Sequence, residues 1–441
     1  MSAPAIVGML VMAAYNLADT FFIGRFVGAD GITAVTLYIP IGTLFFSLAL
    51  MFGVGGSSLI SRSLGSGDQV TAEGVLGNLV FLVGFMVLLT VAPTWFFASK
   101  LLGGLGADAS VLPMGMDYMR TMLLGVPFWM LTVPMNHSIR AEGNARMAMV
   151  TMISGSILNV CLDPLLISTF GMGVRGAALA SVISQATSLS MVVWYFLSGR
   201  SSLHLRLASL RPQWKWIKQT LGVGVSAFMG QVAQSIIQAL VVMSLARLGG
   251  AAAQATFGIC ARISMFVFMP AFGIQQGFLP VLGFNFGAKQ MKRAKQSVFW
   301  AMGSMACILA TSWVLLQSMP EFWVRLFLGS GEENAALVEM SGHALRSVML
   351  ITPLVAFPIT VVGMLQALGR TWESLFLTMS RGFLYVIPML IVLPRFFGLD
   401  GIWYAFPSAE VLSLLTAAVV FWRVFPKFGK AAEENSKASH S

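Results

Sequence analysis

Charge is what this chain has least of. Aspartate, glutamate, lysine and arginine together make up 10% of its 441 residues, and hydrophobic residues 57%. A soluble globular chain carries roughly 25% charged residues, so the deficit excludes a water-soluble domain of this length and leaves a polytopic membrane protein. Cysteine is scarce too. Cys161, Cys260 and Cys307 are scattered along apolar stretches without C-x-x-C spacing, which points to neither a disulfide framework nor a zinc site. Four histidines (His137, His204, His343, His440) are present and none is paired. Without an H-E-x-x-H run or a nucleophile beside a base, a membrane-embedded enzyme is disfavoured. No G-x-x-x-x-G-K-[ST] occurs, so ATP is not the fuel unless a separate subunit supplies it. The stretch Gly53–Gly56 (GVGG) has no following Lys-Ser/Thr and reads as close helix packing. The net charge of +10 follows from the positive-inside bias of membrane proteins, and no nucleic-acid partner is expected.

What the chain has in abundance is apolar length. Windows of about 20 apolar residues, enough to cross a hydrocarbon core, recur twelve times. They lie near 3–24, 34–60, 74–97, 118–138, 148–169, 176–198, 217–246, 253–284, 297–319, 342–366, 373–394 and 401–424. Turn-rich joints separate them, among them Gly65–Asp68, Gly103–Asp108, Gly171–Gly176 and Gly398–Gly401. Most of the 27 basic residues fall in the even-numbered loops and the C-terminal tail, which makes that side cytoplasmic and puts both termini inside. The richest clusters, Arg200–Lys218 and Lys289–Lys295, read as topology-setting and interfacial segments; a specific anionic-lipid site is the alternative. No basic n-region or small-residue cleavage site opens the chain, so Met1–Ile23 reads as a retained helix rather than a signal peptide.

The chain also repeats itself. Sliding it by about 220–226 residues brings recurring residues into register. Phe52-Gly53-Val54 meets Phe272-Gly273-Ile274, Gly67 meets Gly287, and Pro127 meets Pro353. Ala141, Gly143, Gly173 and Gly176 meet Ala367, Gly369, Gly398 and Gly401. A duplication of six spans keeps both halves in one orientation, so the two lobes are related by a pseudo-two-fold axis along the membrane normal. The expected division is an N-terminal six-helix lobe over 1–198, a basic cytoplasmic linker over 199–216, a C-terminal six-helix lobe over 217–425 and a cytoplasmic tail over 426–441.

Within those spans, two carboxylates stand alone. Asp19 lies in Ala5–Ile23 and Asp163 in Met149–Phe170, each the one formal charge of its apolar run. A charge at mid-membrane costs from about 3 to well over 10 kcal/mol, so such residues face a pore, a partner or an ion. Under the repeat, Asp19 falls opposite about Leu240 and Asp163 opposite Met389 or Pro388, so the second lobe has no counterpart for either. Asn159 and Asp163 share a helical face at a spacing of four, as do Asn16 and Asp19 at three. Tyr118 and Ser181 are intramembrane oxygens able to complete a small cage. Carboxylate, amide, hydroxyl and phenol oxygens suit a hard cation such as Na⁺, or a proton network. Na⁺ at Asp19, Asn159 and Asp163 and proton binding at the two acids therefore both stand as expectations. A plain interhelical hydrogen bond is the bland alternative.

Other residues call for weaker readings. Pro4, upstream of Asp19, removes a backbone hydrogen bond and gives the first helix a place to bend, or is a passive kink or a terminating residue at a frayed N-terminus. Glu410 lies in an apolar span and is expected to pair with Arg381 or Arg262, to sit near the boundary, or to meet a cationic substrate. The 29 methionines suit a promiscuous apolar cavity or ordinary packing. Met152 stands on the Asn159 face, and Asn136 and Gln185 are further polar candidates for a cavity wall.

Over nearly its whole length the chain resembles the multidrug and toxic compound extrusion (MATE) transporters. The matching stretches are Tyr15–Gly24 (YNLADTFFIG), Gly55–Asp68 ending in LGSGD, Gly143-Asn144 followed by Leu158–Ile167 (LNVCLDPLLI), Gly173–Ala178 (GVRGAA) and Gly283–Gly287 (GFNFG). Intramembrane acids confined to the first lobe resemble the DinF-like branch; helix seven offers only Gln231, Gln234 and Gln238 in place of the acids of another branch. The resemblance implies a cation or proton site at Asp19, Asn159 and Asp163, with Tyr118 and Ser181 contributing. Ser181 stands where the family pattern has threonine, which keeps the hydroxyl. Pro4 matches a first-helix proline tied to bending. Relatives usually carry a segment before this helix, which implies a truncated start. The implied function is a monomeric antiporter of the bacterial inner membrane exporting amphipathic, often cationic compounds for H⁺ or Na⁺, with no cofactor and with membrane lipids around it. A lipid-linked oligosaccharide flippase or a metabolite exporter of the same superfamily is the alternative. An acidic lobe interior disfavours a pyrophosphate-bearing substrate.

Overall fold

In lipid, backbone N–H and C=O groups must bond within their own segment, which leaves helices for a chain this apolar. The computed structural model describes residues 2–108, 110–328 and 335–438, and no strand occurs among them. Among the described residues, ten helices are long and apolar enough to cross a membrane. They include α1 (Ser2–Phe26), α2 (Ala29–Gly65), α3 (Gln69–Phe96), α6 (Ala145–Pro164), α7 (Gly173–Leu197), α8 (Trp214–Leu248), α9 (Gly250–Gly287) and α10 (Met291–Ser318). The span expected near 342–366 is a bent pair, α12 (Ala335–Val348) and α13 (Ala356–Ala367), with a 44° break at the turn before Pro353. The fifth helix, α5 (Leu112–Ala141), supplies the remaining expected span. It is 30 residues long but less apolar, because Asn136, His137 and Arg140 of its buried end face protein and not lipid. Short helices α4 (Ala98–Gly104) and α11 (Pro320–Leu328) follow the third span of each half. The last two spans are α14 (Thr371–Met379) with α15 (Ile387–Phe397), and α16 (Asp400–Ala438).

The chain separates into two compact units, Met1–Phe228 and Met229–Ser441, with the division inside α8. In the first, α5 packs against α2, α3 and α7, and α1 lies along α6. Their shared core holds Phe45, Phe52, Ile60, Leu79, Met119, Leu123, Met130 and Ile139. Helices approach most closely at glycine. A Cβ on Gly55 would lie 2.0 Å from the Thr220 carbonyl oxygen, and one on Gly224 2.0 Å from that of Met51. The GVGG run is thus a backbone-to-backbone contact of α2 with the start of α8.

The basic segment after α7 lies against this first unit. Glu142 Oε2 accepts from the Ser202 N–H at 2.9 Å and from Ser201 Oγ at 2.7 Å. Glu73 meets His204 Nδ1 at 3.0 Å and Arg206 Nε at 3.6 Å. Asn78 donates to the Ser209 and Arg211 carbonyls, both at 3.2 Å, and accepts from the Gln213 N–H at 2.7 Å.

The second unit reuses local geometry of the first. Gly173 and Gly398 both adopt the left-handed region, at φ +56° and +57°, which side chains rarely do. Three residues on, a Cβ on Gly176 would meet the Leu166 carbonyl at 2.7 Å, and one on Gly401 the Leu393 carbonyl at 2.4 Å. Each unit also widens its fifth span into a π-helical segment, Leu165–Thr169 after Pro164 and Ser380–Val386 between α14 and α15.

Candidate cation-coupling site

The first unit brings the two acids into electrostatic reach of each other: Asp19 on α1 acts on Asp163 of α6, and both act on Tyr15 and Tyr118. The packing of α1 along α6 sets them within that reach. Asp163 is wholly buried and Asn159, one turn earlier, nearly so. Asp163 closes the regular part of its helix; Pro164 follows and the chain widens into the π-helical turn. Widened turns of this kind cluster at functional sites because they re-aim neighbouring side chains.

Asn159 Nδ2 donates to Ser181 Oγ of α7 at 3.2 Å. That bond orients the amide and leaves its Oδ1 aimed elsewhere. Among the described residues no hydrogen bond reaches Asn159 Oδ1, Asp19 Oδ1 or either carboxylate oxygen of Asp163, and all four atoms are buried. Buried acceptors of this sort cost free energy unless something donates to them or a cation sits between them. The donor set therefore fits a proton or a hard cation: oxygens only, three from the two carboxylates and one from an amide. No group of three or more His, Cys, Asp or Glu converges among the described residues, so a cation here relies on amide and hydroxyl oxygens beside the two acids.

Tyr118 is buried on α5, its ring edge-on to Tyr38 of α2 with centroids 5.6 Å apart. The Tyr38 hydroxyl has no hydrogen-bond partner among the described residues. Tyr15 and Tyr38 were missed in the sequence. Tyr15 precedes Asp19 by four residues, one turn on the same face, and that spacing was the available signal. Asn16 does not join the site: it is exposed, and its amide donates to the Met12 carbonyl at 2.7 Å.

Of the expected cavity residues, Asn136 lies apart from the site. Asn136 is 18 residues beyond Tyr118 on α5, about 27 Å along the helix. Its Oδ1 accepts from Thr151 Oγ1 at 2.8 Å, tying α5 to α6. Met152 Sδ lies 3.9 Å from Arg140 Nη1 and would sit 3.4 Å from a Cβ on Gly8 of α1. Gln185 Oε1 is buried beside Gly125 without a partner among the described residues. Pro4 falls in the first turn of α1, which runs unbroken to Phe26. In the second unit Glu410 pairs with Arg381, whose Nε donates to Glu410 Oε1 at 2.8 Å.

A helical membrane protein of two units, with two intramembrane carboxylates in the first, has the build of a membrane transporter. A sequence profile of the MatE family matches residues 4–165 and 226–392, and the chain belongs to that family, the multidrug and toxic compound extrusion transporters. Among curated relatives, "Multidrug export protein MepA" of Staphylococcus aureus (strain N315) is 27% identical over 426 residues, covering 96% of this chain and 92% of the relative. Among solved structures, the MATE multidrug transporter DinF-BH is 37% identical, with a TM-score of 0.88 over 96% of this chain and 94% of that one. An outward-facing multidrug resistance MATE family transporter of the MOP superfamily is 25% identical, with a TM-score of 0.90 over 98% and 95%.

Proposed function

We propose that the protein is a secondary active multidrug antiporter, exporting amphipathic, often cationic compounds in exchange for H⁺ or Na⁺. The observation that carries this reading is the Asp19/Asp163 pair, with three of its four carboxylate oxygens buried and without donors. Such a pair holds a proton or cation from one side and gives it up when α1 repacks against α6. One inward charge across about 150 mV supplies roughly 3.5 kcal/mol, which sustains about a 300-fold gradient at best. The MepA and DinF-BH names support multidrug cargo. The bacterial inner membrane, cytoplasmic termini, a monomeric state, a bending role for Pro4 and the absence of enzymatic chemistry belong to the same proposal.

The proton is the favoured coupling ion, because the acid pair alone suffices for it. Sodium is the second reading, favoured by the unpaired Asn159 Oδ1 beside Asp163. Efflux from proteoliposomes under separately imposed proton and sodium gradients decides between them. Proton-driven efflux that a sodium gradient cannot replace is the expected result. Strong efflux on a sodium gradient at fixed pH, with protonophore present and potential clamped, overturns the proton assignment; no gradient-driven efflux of any amphipathic cation overturns the antiporter.

A further inference from the structure

The second unit carries a cavity whose lining includes none of the proposed coupling residues. It has a volume of about 400 Å³ and lies between the start of α14 and the Val420–Val424 turn of α16, lined by Arg370, Trp372, Glu373, Phe376, Arg423 and neighbouring valines. Arg370 Nε meets Glu373 Oε1 at 3.0 Å. Arg423 is exposed and has no acidic partner among the described residues. The cavity thus holds two guanidinium groups against one carboxylate. The basic start of α10 lies at the same end of the unit, where Lys295 Nζ sits 5.7 Å above the ring of Phe425.

The walls are amphipathic along the helix axes. Trp372 and Trp422 are 78% and 79% exposed, and exposed tryptophan beside arginine marks the headgroup level of a bilayer. One turn deeper on α14 comes Phe376; Val419 and Leu415 follow on α16, and all three are exposed apolar side chains. Spacings of three and four keep each series on one face. Guanidinium groups recognise phosphate by paired, charge-assisted hydrogen bonds. The apolar faces beneath then suit acyl chains.

We propose that this cavity binds the phosphate headgroup of an anionic phospholipid, with Arg423 and Arg370 on the phosphate, the tryptophans at the glycerol level and the chains along Phe376, Val419 and Leu415. Neither lobe acid takes part, so the inference stands whichever ion couples transport.

Native mass spectrometry of the full-length protein, titrated with phosphatidylglycerol or phosphatidylcholine of matched chains, tests it. Phosphatidylglycerol is expected to be retained preferentially. Arg423→Gln and Arg370→Gln should each weaken its binding about five-fold, while Lys100→Gln, on the first unit, should not. Both cavity residues are exposed enough that the variants should fold. Glycerol 3-phosphate at millimolar concentration should not displace the lipid. Equal retention of the two lipids, unchanged retention in both arginine variants, or loss in Lys100→Gln as large as in Arg423→Gln overturns the site. Displacement by glycerol 3-phosphate reassigns it to a soluble phosphate and overturns the lipid.

Discussion

Asp163 concentrates the chemistry of the first unit into one side chain. It is wholly buried, and neither of its oxygens receives a hydrogen bond from the described residues. Asp163→Asn keeps the size of the group but removes its charge and its proton. Coupled efflux should be abolished in a protein that still inserts and runs as a single species; wild-type transport by a well-expressed variant removes the acid from the mechanism. Asn159 and Ser181 separate the coupling ions. If sodium is bound, Asn159→Ala deletes a ligand and Ser181→Ala releases the amide it orients, so sodium-driven efflux should weaken in both. If only protons couple, the same changes should mainly move the pH profile, because they alter how the ionised acid is solvated. Drug efflux measured against external pH and against sodium in each variant distinguishes these outcomes.

Helices here meet where side chains are absent. The Gly55 contact leaves a Cβ only 2.0 Å from a backbone carbonyl, and backbone cannot rotate away. Gly55→Ala should destabilise the first unit by about 1–3 kcal/mol, read as a lower thermal midpoint in detergent. Gly84→Ala on α3, with nothing within 4 Å of the added methyl, should be neutral or slightly stabilising. Asp68 shows the complementary device at a helix start. It caps α3 by accepting from the Thr71 N–H at 2.9 Å, and the Thr71 hydrogen bonds, side chain first, hold its carboxyl below the usual range. A depressed carboxyl contributes stability above its ordinary pKa and loses it as pH falls through the lowered value. Asp68→Ala should therefore cost about 1 kcal/mol near neutrality, and the gap to wild type should close in acid. A gap that stays constant down to the lowest pH at which the protein remains folded would show that the carboxylate is not the capping group.

At the scale of the molecule, a duplicated fold carries unequal chemistry. In the first unit three of the four carboxylate oxygens of Asp19 and Asp163 are buried without a donor among the described residues, whereas Glu410 of the second has Arg381 on Oε1 and only its Oε2 bare. Neutralising Asp19 should thus cost more transport than neutralising Glu410 at equal membrane abundance. The opposite ranking of Asp19→Asn and Glu410→Gln in an efflux assay would move coupling into the second unit.

Much of this was legible in the residues themselves. Helical spans follow from apolar length, because lipid offers the backbone no partners. Buried acids stand out because each is alone in its run, and repeated glycines mark turns that the second half builds again at Gly173 and Gly398. Spacing along one helix set Asn159 on the face of Asp163 and Asn16 on the face of Asp19, but it could not tell that the Asn16 amide turns back to its own backbone. What lay beyond the sequence depends on contacts between segments far apart in the chain. Tyr38 reaches Tyr118 across 80 positions, and the basic segment after α7 is held by Glu73, Asn78 and Glu142 rather than left as a tether. The π-helical turns and the break between α12 and α13 were likewise decided by packing, as was the choice of Arg381 over Arg262 as the partner of Glu410. Local composition sets which segments are helices; which polar atoms end up buried, bonded or bare is settled only when helices from different parts of the chain close on one another.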